Sequence, residues 1–306
     1  MNIQLFDSHC DTAFELYRKG EKLRNNQCHI DLERAGKYDA YGQLFAFCSL
    51  SGIQNLPWTA EELLQKPLAY LRNEVSENSD LISFAANGAK ASQLHKEGKM
   101  AALLSIEGAE VIDCDIRRLQ WLREQGFVMT TLTWNADNIL AGYHGGDTGL
   151  SAYGRDFVKE AQTLKILIDV SHLSEASFWD LMDCTSAPIV ASHSNCRRLW
   201  DHSRNLTDDQ LRAIADTGGA VGLNLYPEFL SDHADFDCLR RHLEHMLGLM
   251  GEKHVMLGGD LDGCEVLAEG FSGVESYGSF YAYLQSKGYS TELLNGIFYQ
   301  NLLRLL

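Results

Sequence analysis

The chain has 306 residues, 45% hydrophobic and 22% charged, with 4 prolines and 26 glycines, which excludes collagenous, low-complexity and disordered classes. Its formal net charge of −16 argues against a nucleic-acid partner, because a phosphate backbone needs a basic face, and against docking on anionic membranes. Length alone fits two average domains or one α/β barrel, and no apolar run approaches the ~20 residues of a membrane span.

Eight apolar, β-branched or aromatic runs recur in chain order, at 3–6, 44–50, 100–106, 127–133, 166–170, 188–191, 220–225 and 254–257. Each is apolar throughout rather than alternating, the pattern of a strand buried on both faces. Between most of them lies helical spacing. The first such stretch, 60–77, carries Leu63, Leu64, Leu68 and Leu71 on one stripe, and 115–125, 155–164, 174–184, 207–216 and 237–251 follow. Ser174-Glu175 opens one helix, and Thr207-Asp208-Asp209-Gln210 reads as a capping box. Helices at 274–287 and 291–305 close the chain. Eight buried strands alternating with helices predict a (β/α)8 TIM barrel, an α/β fold in one domain over 1–306. The rival, a doubly wound sheet, would show a glycine-rich phosphate loop after an early strand; here the first strand runs into His9-Cys10-Asp11.

Ionisable residues fall at the predicted strand ends. They are His9 and Asp11, Glu107, Asp169 and His172, His193, and Asp260 and Asp262. In a barrel these ends converge on one face. Singly each has a bland reading as a cap, turn or core residue. Jointly, three imidazoles and two or three carboxylates suit two divalent ions, zinc above magnesium or calcium. Such a pair supplies hydroxide and polarises a carbonyl at neutral pH, so the expected chemistry is metal-assisted hydrolysis. The eight cysteines form no C-x-x-C pair and sit in apolar segments. They read as buried reduced thiols, and with no basic-plus-apolar signal segment at 1–7 they predict a cytoplasmic protein.

These motifs resemble the renal (membrane) dipeptidase family, zinc metallopeptidases with an amidohydrolase-like barrel. The resemblance rests on Asp7-Ser8-His9-Cys10-Asp11-Thr12, Ile106-Glu107-Gly108, Asp169-Val170-Ser171-His172, Pro188 to Ser194, Ser203-Arg204-Asn205-Leu206 and Gly258-Gly259-Asp260-Leu261-Asp262-Gly263, spread over essentially the whole chain. It implies two Zn2+ ions, one on His9 and Asp11 and the other on His172 and His193, bridged by Glu107. It implies that Arg204 grips the substrate carboxylate, that Asp260 shuttles the proton to the leaving amine, and that Tyr226 helps hold the substrate. The implied substrates are dipeptides, including those with a C-terminal D-residue, and the implied assembly is a homodimer. One departure is Trp134, where some relatives have a substrate-contacting histidine; it is expected to bind the substrate by packing against it, or to wall the pocket. His144, ten residues on, could replace that histidine but reads more simply as a surface residue. Asp262 is a further candidate for the metal site, and Cys10 is the one cysteine expected near it, facing away. The alternatives are a related barrel hydrolase acting on a lactone, cyclic amide or phosphoester, and a non-catalytic binding scaffold.

Overall fold

Nine parallel strands form one sheet in the computed structural model, which describes residues 3–306. They are β1 (Gln4–Cys10), β2 (Ala40–Cys48), β3 (Ile82–Phe84), β4 (Met100–Glu107), β5 (Phe127–Thr131), β6 (Leu167–Asp169), β7 (Ile189–Ala191), β8 (Ala220–Leu223) and β9 (Val255–Leu257). The order β2-β1-β9-β8-β7-β6-β5-β4 closes on itself because β2 also pairs with β4, Gly42 opposite Ala101 through Cys48 opposite Glu107. The result is the expected eight-stranded (β/α)8 barrel.

The ninth strand, β3, is absent from the sequence expectation. It is three residues long and pairs with the first residues of β4, Ile82 opposite Met100 to Phe84 opposite Ala102. Because β2 occupies one edge of β4, β3 lies on the other, ahead of the stretch that pairs with β5. It extends the sheet outside the closed ring.

Adjacent residues on a strand feed different apolar clusters. Phe6, Leu44, Leu103, Val190, Ala220 and Met256 meet in one, and strands from all around the ring can meet only inside it. Leu5, Phe45, Leu104, Ile189, Val221 and Leu257 join the other, with residues of the surrounding helices such as Leu64, Phe157, Leu211 and Leu243. Burial on both faces explains why no strand alternates in sequence.

The expected helices form at Ala60–Glu77, Ala152–Thr163, Glu175–Met182, Asp208–Asp216, Phe236–Met250 and Tyr277–Ser286, with Leu119–Glu124 preceded by a 3-10 turn. Ser174 caps its helix, and the Thr207–Gln210 box is formed in both directions. The expected continuous helix at 291–305 is instead broken into Thr291–Asn295, a π-turn Gly296–Gln300 and Asn301–Leu303. The consecutive residues Ile297, Phe298 and Tyr299 are all buried there, which one face of an α-helix does not allow. No helix among the described residues is long and apolar enough to cross a membrane.

Candidate active site

Each expected metal-ligating side chain sits where a strand ends and the backbone turns. On β1 the pairing with β2 slips by one residue between Asp7 and Cys10. Such a bulge reverses which way the following residues face. His9 thereby enters the barrel mouth, and Cys10 is buried among apolar groups, as expected. Asp11 starts the helix Thr12–Lys19, but its carboxylate caps no helix N–H and is left for the site. Glu107 is the last residue of β4. His172 and Asp260 adopt left-handed backbone, at φ 73° and 57°, which non-glycine residues rarely do outside functional turns. Gly263 lies between two of these carboxylates; a side chain there would collide with Asp260 and Asp11.

The side chains converge. Glu107 Oε1 lies 2.8 Å from His172 Nε2, 3.3 Å from His193 Nε2 and 3.5 Å from His9 Nε2. His9 Nε2 is also 3.5 Å from Asp11 Oδ2 and 3.8 Å from Asp260 Oδ1. Three overlapping triads each keep their ligand atoms within 4.8 Å of one another: His9-Asp11-Glu107, Glu107-His172-His193 and His9-His193-Asp260. Glu107 belongs to the first two.

The local electrostatics ask for cations. Burial pushes the His172 and His193 imidazoles well below their usual range, and neighbouring positive groups push them further. Burial raises the Glu107 and Asp260 carboxyls, against the attraction of His9. Burial pulls His9 down too, but Glu107, Asp11 and Asp260 outweigh it and drive the imidazole up to about 10. His172 Nδ1 faces Asn135 Oδ1 at 3.0 Å, and His193 Nδ1 faces the Ser192 hydroxyl at 2.6 Å. With both protons held on Nδ1, the two Nε2 lone pairs confront each other at 3.1 Å, a repulsive arrangement that a shared cation relieves. Neither ring nitrogen of His9 has a hydrogen-bond partner, although both are buried. The donor set therefore fits divalent metal, and imidazole-rich ligation suits zinc.

Above this cluster lies a cleft of about 460 Å3, in the range of small-ligand sites. Arg204, Tyr226, Trp134, Asp260, Glu107, Asp11 and His172 all line it. Arg204 is only 4% exposed. Its Nε has no partner, its Nη2 makes one long contact of 3.5 Å to His193 O, and its guanidinium sits 5.4 Å over the Phe229 ring. Burial lowers its pKa, and Asp260, Glu107 and Asp169 act on it only through their fields. Asp260 Oδ2 accepts from Asn224 Nδ2 at 3.2 Å. Trp134 is half-buried and its ring lies 6.2 Å from that of His172.

Three expectations are corrected. His144 is not a surface residue. It lines the cleft, with Nε2 3.2 Å from Asn135 Oδ1 and Nδ1 2.8 Å from Ser203 Oγ, and burial with Arg204 nearby pushes its pKa down to about 3. Asp262 is not part of the metal cluster. Its carboxylate accepts from Thr12 Oγ1 at 2.6 Å and the His29 N–H at 2.8 Å, so it ties the segment after β9 to the start of the helix Thr12–Lys19 and to the loop at His29. Cys10 is not the cysteine nearest the chemistry. Cys48, cross-strand partner of Glu107 at the end of β2, lines the cleft itself. Asn135, Asn224 and Ser192, to which the strand-end pattern assigns no role, contact His172, Asp260 and His193 respectively. Asn135 follows the fourth predicted strand and Asn224 lies within the last residues of the seventh, and a polar residue at those ends is the available signal.

A buried His/Glu/Asp cluster at the C-terminal mouth of a (β/α)8 barrel defines a metal-dependent hydrolase. The family model described as membrane dipeptidase (peptidase family M19) matches residues 1–306. The chain belongs to that family, and is by that membership a metal-dependent dipeptidase. It is 34% identical to an uncharacterized protein in the pqqA 5' region of Klebsiella pneumoniae, covering 82% of this chain and 98% of that one. It is also 34% identical to an uncharacterized dipeptidase of Schizosaccharomyces pombe, over 68% of this chain and 53% of that longer protein. Among solved structures, a metallopeptidase from Rhodobacter sphaeroides liganded with a phosphinate mimic of the dipeptide L-Ala-D-Ala superposes with a TM-score of 0.90 at 28% identity, over 100% of this chain and 99% of that one. The dipeptidase AC, a metallopeptidase of family M19, gives 0.89 at 29% identity, over 100% and 98%.

Proposed function

We propose that this protein is a binuclear zinc dipeptidase, a single barrel domain over 1–306 with its metal site at the C-terminal ends of the strands. The observation that carries the reading is the pair of triads sharing Glu107, set beneath a buried arginine that has no anionic partner. His9 and Asp11 would hold one ion, His172 and His193 the other, and Glu107 would be shared between them. Ions bound there supply Lewis acidity toward the scissile carbonyl and acidify the attacking water.

The chain's own groups do the rest. Arg204 offers a planar fork of donors to the substrate's C-terminal carboxylate, and that anion supplies the partner the guanidinium lacks. Asp260, raised by burial and held by Asn224, is placed to take a proton from the attacking water and return it to the leaving amine. Tyr226 and Trp134 wall the cleft, and its volume of about 460 Å3 suits two residues rather than a longer peptide. Acceptance of a C-terminal D-residue is favoured by the ligand of the Rhodobacter sphaeroides relative. All eight cysteines are free, as a reducing cytoplasm requires, and a homodimer is the assembly to examine.

Metal analysis joined to a dipeptide panel tests this reading. Two zinc ions per chain and turnover of L,L and L,D dipeptides are expected. Zinc-loaded protein that leaves the whole panel intact refutes it.

A further inference from the structure

An imidazole that offers Nε2 to a metal must keep its proton on Nδ1, and a neighbour must hold it there. For His193 the neighbour is a two-step chain of groups. The Ser192 hydroxyl has one hydrogen, which it donates to Asp169 Oδ2. Its oxygen can then only accept from the other side, where His193 Nδ1 lies at 2.6 Å. The proton is thereby placed on Nδ1, and Nε2 is left as a lone pair aimed at Glu107 Oε1, 3.3 Å away.

Asp169 itself cannot turn. Its Oδ1 accepts the backbone N–H groups of Ser171 and Ser192, both at 2.9 Å, and the residue is 1% exposed. It therefore locks the ends of β6 and β7 together just before His172 and His193. Asp7 makes the same backbone clamp between β1 and β9, accepting from the N–H groups of His9 at 2.9 Å and Gly259 at 3.0 Å. Its remaining contacts go to Gln43 and Tyr277 and reach no imidazole. The two halves of the site are thus built differently: one has a backbone clamp alone, the other a clamp plus a proton-placing relay.

We propose that Asp169 and Ser192 are positioning residues that fix the tautomer of His193 and so set the metal affinity of the two-histidine half of the site. This rests on the metal-site reading above. It distinguishes two substitutions made in the same hydrogen-bond chain. Ser192→Ala deletes the relay. Asp169→Asn reverses it: Oδ1 must stay an acceptor for two N–H groups, so the new amide donates to Ser192 Oγ. The serine hydrogen then turns to His193 Nδ1, and the ring proton moves to Nε2, where it blocks ligation. The same isosteric change at a Ser-His-Asp triad forces the wrong tautomer.

The test is competition for Zn2+ against a chromophoric chelator, with Co2+ substitution read by visible absorption and folding of the metal-free protein read by Tm. Ser192→Ala is expected to weaken one of two metal positions by about 10–100-fold, and Asp169→Asn to weaken the same position further. The Co2+ spectrum should change in both. Wild-type affinities and spectra in both variants overturn the relay. So does an equal loss at both positions accompanied by a matching fall in Tm, which marks a structural role. Wild-type protein that binds fewer than two ions overturns the metal reading and the relay with it. Two tight ions without dipeptide turnover would instead sink the dipeptidase reading and leave the relay standing.

Discussion

Replacing Arg204 with methionine should move stability and activity in opposite directions. The guanidinium is 4% exposed, and no carboxylate among the described residues bonds to it. Replacing buried ion pairs by apolar groups of similar volume is commonly neutral or stabilising, by about 1–4 kcal/mol, and a guanidinium with no bonded anion carries the desolvation cost without leaving a partner unpaired. Methionine's flexible thioether can fill the space over Phe229. The gain is reduced because Arg204 also offsets the charges of Asp260 and Glu107. Activity should fall, because two charge-assisted hydrogen bonds to the substrate carboxylate are lost, at about 1.5–3 kcal/mol each. Together that is about 3–6 kcal/mol, or on the order of 10²–10⁴-fold in kcat/KM. The assay compares a dipeptide with its C-terminal amide, alongside thermal unfolding. Arg204→Met should lose most of its kcat/KM on the dipeptide and little on the amide, with Tm unchanged or higher. An equal loss on both substrates together with a lower Tm would mean that Arg204 is a structural residue, and the substrate-anchor argument would be wrong.

Other substitutions separate the remaining roles. Glu107→Gln keeps the shape of the side chain but removes the charge shared by two triads, so bound zinc measured by atomic absorption should drop by at least one ion per chain; full retention would remove Glu107 as the bridge. Asp260→Asn should keep both ions while kcat falls on the order of 10²-fold or more for lost proton transfer, and an unchanged kcat would exclude Asp260 from the mechanism. His242 lies outside the site, 1% exposed, accepting from the Cys196 N–H and donating to Leu230 O. Burial pushes its pKa from 6.5 down to about 4. In that window the unfolded chain binds a proton that the folded one refuses, so stability falls as pH drops from 6.5 toward 4, by about 3 kcal/mol in all. Denaturant unfolding at several pH values should show this slope, and it should flatten in His242→Asn; an undiminished slope would assign the acid sensitivity to other groups.

Much of the architecture is legible in the chain because it depends on local pattern. Strands buried on both faces must be apolar throughout, so all eight barrel strands stand out, while β3, Ile82-Ser83-Phe84, is fully buried only at Ile82 and lies in no apolar run. Where a strand stops, polar residues begin, and that alone marks His9, Asp11, Glu107, Asp169, His172, His193, Asp260 and Asp262 as candidates. Over 291–305 the apolar spacing is helical on average, but burying Ile297, Phe298 and Tyr299 in succession widens the turn.

The sequence by itself determined which residues close each strand and hence which chemistry the barrel mouth can hold. Only the tertiary structure decided which of them meet. Glu107 comes within 3.5 Å of three imidazoles drawn from three other strand ends, and that convergence depends on closure of the ring between β2 and β4. The bulge in β1 and the left-handed turns at His172 and Asp260 set the direction of each side chain, and neither follows from residue type. Hydrogen-bond partners are non-local as well: Asp262 is drawn to Thr12 and His29, His144 to Asn135 and Ser203, and Asp169 to Ser192 rather than to its sequence neighbour His172. Spacing along a chain limits what a side chain can reach within its own element; across elements, only the packing of one against another fixes the distance.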